Sequence, residues 1–209
     1  MDLPGRHGAS IDAPVDMQGD WDGSIAYLDR DGVLNVGLEN YVRTIDDVEM
    51  LPGAGDAIAS LREAGYKIVI VTNQSPINRG IFTHDDLAEI NQLVLDELIK
   101  ENPEAHVDLV LYSPFAPHEC SPVRKPGAGM LQVARQILTG TMLETTHNSS
   151  NLSNRMDEGR SFMAGDRDAD MGAAWNHGIR AFRIDPEVGI AGSITRLLDD
   201  NDRGDALEI

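Results

Sequence analysis

From Gly23 onward, short runs of aliphatic and β-branched residues alternate with stretches of helical period, and few folds accept that order of elements. Parallel strands need a long crossover between them, and a helix is the usual one, so the alternation points to a parallel sheet with helices on its faces. Strands are expected at Ile25 to Leu28, Lys67 to Thr72, Val107 to Tyr112, Ser161 to Ala164 and Ile179 to Ile184. The first helix runs from Ala54 to Ala64 and stops at Gly65. The second opens on Thr83 as N-cap, three residues before Asp86, and carries Leu87, Ile90, Val94 and Leu98 on one face. A third places Met130, Leu131, Ala134, Ile137 and Leu138 together, a fourth runs from about Asp168 to Gly178, and a last one carries Ile194, Leu197 and Leu198. The expected class is α/β, a doubly wound, Rossmann-like parallel sheet.

The rest of the chain frames that domain. Residues 1–23 hold Pro, Gly and Asp without an apolar period and read as a flexible arm. They lack the basic and apolar regions of a signal peptide. Residues 24–198 form the domain, interrupted at 144–160 by a polar, aperiodic stretch expected to be an exposed loop; 199–209 read as a frayed acidic tail. The longest purely aliphatic run, Ile68 to Val71, is too short to cross a bilayer, so no membrane partner is expected. A formal net charge of -18 with no Lys/Arg block speaks against a nucleic-acid partner. Cys120 is the only cysteine, which rules out an intrachain disulfide and fits a reducing, cytoplasmic setting. A monomer or small homo-oligomer is expected.

Chemistry is expected where strands end, because open α/β sheets place their sites at the carboxyl edge. Asp29-Arg30-Asp31-Gly32 follows the first strand, with two carboxylates one residue apart. Hydrolysis of a phosphate monoester is among the slowest uncatalysed reactions, and one route uses a carboxylate that takes the phosphoryl group and then yields it to water. Asp29 suits that role. Thr72-Asn73-Gln74-Ser75 ends the second strand with hydroxyl, amide and backbone donors able to hold phosphate oxygens. Arg124-Lys125-Pro126 precedes the third helix, where Lys125 can neutralise both the attacking carboxylate and the transferring group. Asp166-Arg167-Asp168-Ala169-Asp170 follows the fourth strand, and hard oxygen ligands of this kind suit Mg²⁺. A calcium loop fits poorly: Gly172 falls at position seven instead of six, and His177 stands where a bidentate Glu is required.

In order, Asp29-Arg30-Asp31-Gly32-Val33, Thr72-Asn73-Gln74, Lys125-Pro126 and Gly165-Asp166 through Asp170 resemble the four motifs of haloacid dehalogenase-like phosphatases. The flanking residues, including Ser75 with Arg79-Gly80 and Arg124 with Gly129-Met130-Leu131, resemble the subgroup of heptose 1,7-bisphosphate 7-phosphatases and histidinol-phosphatases. The resemblance implies Asp29 as nucleophile, forming an aspartyl-phosphate, and Asp31 as the acid that protonates the leaving oxygen and then activates water. It implies Mg²⁺ held by Asp29, the Asp31 carbonyl and Asp166, with Thr72 and Lys125 stabilising the phosphoryl group. Arg30, Asn73, Gln74, Ser75, Arg124 and Arg167 would meet substrate, and Asp168 and Asp170 would lie behind the site or in solvent. The substrate class is a small phosphorylated sugar, and two guanidiniums fit a second anionic group on it.

Two features depart from or narrow that resemblance. Relatives of this subgroup usually carry a zinc loop of Cys-x-His followed by Cys-x-Cys, and the matching positions here are Ser113, Phe115, Ser121 and Val123. These cannot ligate a closed zinc site, so no structural zinc is expected and the substrate-facing loop differs. The intervals from Asp29 to Thr72 and from Thr72 to Lys125 are filled by the expected strands and helices, leaving no room for a cap domain. Specificity would rest on three short loops, Gly37 to Tyr41, Ser75 to Gly80 and Ser113 to Val123. Histidinol phosphate is the enzymatic alternative, with Glu39 or Glu119 available to meet its amine. A catalytically silent phosphate-binding module is the alternative of another class.

Overall fold

The structure, a computed structural model, describes residues 21–140 and 158–206. Five parallel strands, β1 (Ile25–Leu28), β2 (Lys67–Asn73), β3 (Leu109–Ser113), β4 (Phe162–Gly165) and β5 (Arg180–Arg183), line up in the order β3-β2-β1-β4-β5. The chain builds outward from β1 to one side and then returns to build outward on the other. β1 and its two neighbours therefore flank the switch point where α/β sheets bind their ligands.

Successive strand residues point to opposite faces, and both faces are apolar. Ala26, Leu28, Ile68, Ile70 and Val110 pack under α1 (Ala54–Glu63), α2 (His84–Glu101) and α5 (Ile194–Leu198). Ile25, Tyr27, Val69, Val71, Leu109 and Leu111 pack under α3 (Gly129–Thr139) and α4 (Asp168–His177). α2 begins as its sequence dictates: the Thr83 hydroxyl accepts from the Asp86 amide, and the Asp86 carboxylate accepts from the Thr83 amide. β3 starts two residues later than the apolar run indicates, and just ahead of it the Asp108 carboxylate accepts from the Ile68 amide (2.8 Å) and Arg62 (2.9 Å).

Three boundaries differ from expectation. Residues 1–20 and 141–157 lie outside the described residues, and with them most of the expected arm and loop. Trp21 nevertheless packs on the domain, its indole donating to the Ser24 carbonyl with Lys67 Nζ 4.1 Å above the ring. Glu158, inside the expected exposed loop, is buried and accepts from Tyr27 Oη at 2.8 Å beside Arg135 and His177. The acidic end is not frayed over residues 199–206. Asp205 N donates to the Ala181 carbonyl of β5 at 2.7 Å, and Arg196 pairs with both Asp202 and Asp205. That segment covers an edge strand that would otherwise expose its ladder groups. Among the described residues no helix is long and apolar enough to cross a membrane.

Candidate active site

The carboxyl ends of β1, β2 and β4 open into a cavity of about 260 Å³, lined by Asp29, Asp31, Thr72, Asn73, Ser75, Arg124, Lys125, Arg167 and Asp170, with Leu38 and Tyr41 at one side. Each group arrives from its own strand end. Asp29 leaves β1 with its amide still donating to Ala164 of β4 (2.9 Å), and the chain then turns at Gly32. Gly32 has φ +80°, and a Cβ there would lie 2.7 Å from Asp166 Oδ2, so both the turn and the approach of β4 require glycine.

Lys125 ties the acids together. Its Nζ lies 3.0 Å from Asp29 Oδ2 and 2.6 Å from Asp170 Oδ1, and it donates to the Val71 carbonyl at 2.7 Å. Asn73 fixes the lysine backbone from both sides, accepting from Lys125 N and donating to Lys125 O. Burial alone would lower the Lys125 pKa, but Asp170 and Asp29 more than reverse this and keep the ammonium charged. Asp29 is pushed up to about 6, first by burial and then by the charges of Asp170 and Asp31, with Lys125 opposing.

Asp31 is held the other way. Burial would raise it, yet the Arg30 guanidinium, which clasps both carboxylate oxygens at 3.0 Å, and donation from Asn35 and Gln74 bring it below the usual carboxylate range. Arg30 itself is fully buried and reaches Asn91 of α2 at 2.9 Å. It does not line the cavity, so the expectation that Arg30 meets substrate is corrected: its guanidinium is divided between Asp31 and Asn91. Gln74 is likewise turned inward, donating to Asp31 and to Thr72 Oγ1 at 2.9 Å, and acts behind the carboxylate instead of on a ligand.

Asp170 was expected behind the site or in solvent; it is completely buried and lines the cavity as the second partner of Lys125. It also accepts from the Arg167 amide, closing the first turn of α4. The local feature that turns this carboxylate inward is the i, i+3 capping relation between Arg167 and Asp170. Asp168 does point outward, pairing with Arg183 at the surface.

Asp29, Asp166 and Asp170 each present an oxygen within 4.8 Å of the others. Asp166 Oδ1 is buried with no hydrogen-bond partner, which is the condition of a ligand atom awaiting a cation, and all the donors are the hard oxygens Mg²⁺ prefers. Burial and the Asp29 charge raise Asp166, so its ionised form needs compensation as well. The donor set therefore fits a divalent cation of this type.

Residues 25–179 match the family model described as polynucleotide kinase 3 phosphatase. The D-glycero-beta-D-manno-heptose-1,7-bisphosphate 7-phosphatase of Rhodopseudomonas palustris is 35% identical over 172 residues, 78% of this chain and 83% of that protein. The chain belongs to the haloacid dehalogenase-like phosphatases. The enzyme of the same name from Haemophilus ducreyi is 33% identical, over 74% of this chain and 78% of its own length. The solved D,D-heptose 1,7-bisphosphate phosphatase of B. bronchiseptica, in complex with magnesium and phosphate, superposes with a TM-score of 0.63 at 26% identity, covering 82% of this chain and 85% of that one. As a haloacid dehalogenase-like phosphatase the chain is a phosphoric monoester hydrolase. Among the described residues it carries no cap domain: single helical crossovers follow both β1 and β2.

Proposed function

We propose that this phosphatase removes a phosphate from a sugar bisphosphate, D-glycero-D-manno-heptose 1,7-bisphosphate at C7, through an aspartyl-phosphate on Asp29. The observation that carries the chemistry is the pairing of Asp29 with Lys125 Nζ at 3.0 Å on the cavity floor, one residue from an acid held separately by Arg30. Asp29 attacks phosphorus in line with the sugar oxygen, the phosphorus–oxygen bond to the sugar breaks, and Asp31 delivers a proton to the departing oxygen. Asp31 then takes a proton from the water that attacks the aspartyl-phosphate, releasing inorganic phosphate and restoring Asp29. Thr72 donates its hydroxyl to a phosphoryl oxygen, and Lys125 neutralises charge passing between nucleophile and phosphate.

Asp31 must be protonated when the sugar leaves. In the free protein it is kept ionised by Arg30, but an incoming phosphate dianion opposes that guanidinium and raises its proton affinity where the proton is needed. Asp29, Asp166 and the Asp31 carbonyl would hold Mg²⁺, whose charge would be shared by the carboxylate and the phosphoryl oxygens. Asp170 is left to Lys125, since its oxygen already faces the ammonium at 2.6 Å.

The sugar bisphosphate assignment is supported by the named relatives and by Arg124 and Arg167 at the mouth, close enough that Arg167, after burial, helps to lower Arg124. Such a pair suits a second phosphate. Of the two acids offered to the amine of histidinol phosphate, Glu119 is engaged with the Ala116 amide and Asn78, which leaves Glu39 for that role. A polynucleotide end is disfavoured by the net charge of -18. Phosphate release with Mg²⁺ from both heptose bisphosphate anomers, histidinol phosphate and a 3′-phosphorylated oligonucleotide separates these readings. Preference for a heptose anomer, lost in Asp29→Asn, is expected. Preference for either other substrate overturns the sugar assignment, and no turnover of any overturns the catalytic one.

A further inference from the structure

Three loops surround the cavity mouth, and consecutive residues of the middle one reach in opposite directions to the other two. Asn78 Nδ2 donates to Glu119 Oε1 at 3.1 Å, across to the Ser113–Val123 loop. Arg79 Nη1 donates to Tyr41 Oη at 3.2 Å, across to the Gly37–Tyr41 loop, with its guanidinium 5.8 Å from the ring centroid. Within the third loop, Glu119 accepts from the Ala116 amide at 2.5 Å and Arg124 Nη1 donates to the Phe115 carbonyl at 2.8 Å, folding the segment back on itself.

Among the described residues, the two non-glycine residues with left-handed backbone are Tyr41 (φ 67°) and Cys120 (φ 50°), and both lie in these loops. Such conformations persist only where surrounding contacts over-determine them. Here the Tyr41 amide donates to the Leu38 carbonyl and the Cys120 amide to the Pro117 carbonyl, and the side-chain bonds just named add to these turns. Glu119 is equipped for its part: the Ala116 amide and Asn78 outweigh burial and hold it below the usual carboxylate range, so it remains an acceptor across the neutral range. Tyr41 and Arg124 line the cavity while Asn78, Arg79 and Glu119 do not. The latter three therefore act on a ligand only through what they hold.

We propose that Asn78 and Arg79 are positioning residues that fasten the three loops into one hydrogen-bonded collar, and that this collar sets discrimination for the leaving group while the strand-end residues perform phosphoryl transfer. The assignment presupposes the sugar bisphosphate substrate, which supplies a leaving group large enough to reach the collar. A phenolic monoester such as p-nitrophenyl phosphate is flat, carries no second phosphate and has a good leaving group, so it reports the strand-end chemistry.

The test compares Asn78→Ala, Arg79→Ala and the double variant with the full-length parent on both substrates. The expected result is a rise in KM for heptose bisphosphate of about three- to tenfold per single variant, consistent with loss of one modest hydrogen bond, and a larger rise in the double variant. The kcat on either substrate and the KM for p-nitrophenyl phosphate stay unchanged, and Arg79→Lys recovers part of the loss. Equal losses on both substrates, or no loss on either, overturn the collar. Hydrogen exchange serves as a readout independent of the substrate. Amides of 115–119 exchange faster in Asn78→Ala, and those of 37–41 in Arg79→Ala; unaltered exchange overturns the proposal. Should the parent turn over no sugar bisphosphate, the substrate reading falls, and the exchange measurement alone decides the collar.

Discussion

At Asp31 the Arg30 guanidinium, Asn35 and Gln74 converge on a single carboxylate, while Asp29, two positions earlier, faces Lys125 among other acids. Neighbouring acids are thereby driven apart in proton affinity, which is what distinct nucleophile and acid–base roles require. Replacing Arg30 by Leu removes the charge holding Asp31 low and leaves burial to raise it. The alkaline limb of kcat, where Asp31 must carry its proton, then moves to higher pH by about one to three units, as a pH–rate profile would show. Asp29 gives a prediction of its own. Its carboxylate is raised to about 6 in the metal-free protein, and a ligand must be deprotonated to bind. Protons compete below that value and not above it. Titration calorimetry should therefore find Mg²⁺ affinity flat above about pH 6 and falling by up to about tenfold per unit below it; affinity independent of pH would exclude Asp29 as a ligand. At this scale the strand-end identities of Asp29, Thr72, Lys125 and Asp166 were legible, because polar residues after an apolar run are conspicuous. The directions of Arg30 and Gln74 were not, since they depend on Asn91 and Asp31, partners brought to them by other elements.

Elements carry these residues to one another, and the tightest joint is between β4 and α4. A Cβ on Gly165 would fall 2.2 Å from Asp170 Cγ, against a buried carboxylate that holds both Lys125 and the first turn of the helix. Gly165→Ala should therefore lower stability by about 1–3 kcal/mol in urea unfolding, the usual cost of overpacking, and reduce kcat because Lys125 loses a fixed partner. A variant as stable and active as the parent would show that the joint yields freely. The elements themselves were largely readable, since apolar runs and caps such as Thr83 with Asp86 are local signals. What escaped the sequence was non-local. Asp108 caps the Ile68 amide of the adjacent strand, and Glu158 is buried through Tyr27, Arg135 and His177, none of them its neighbour in sequence.

For the whole molecule, a strongly acidic chain closes one sheet edge with its own acidic end. Arg180 donates to the Asp199 and Asp202 carbonyls, the Arg183 amide donates to Asp205, and Arg196 pairs with Asp202 and Asp205, while Gly204 (φ +78°) lets the segment lie on the Ala181 carbonyl. The acidic composition of this stretch suggested fraying because the β5 groups it docks on, Arg180 and the Ala181 carbonyl, come well before it in the chain. Deleting residues 199–209 should lower stability by about 1–3 kcal/mol, the ion pairs being partly exposed, and raise light scattering near neutral pH as the edge is uncovered. Unchanged unfolding and scattering would mean that the docked segment contributes nothing. The open mouth has a consequence in time. Capped enzymes spend part of each cycle on hinge closure and opening, a microsecond-to-millisecond step that often limits turnover. Among the described residues single-helix crossovers follow β1 and β2, and no cap stands over the mouth to impose such a step. On the mechanism proposed above, the pace of turnover then falls to the two displacements at Asp29 and to product release, and a kcat insensitive to solvent viscosity would assign it to the displacements.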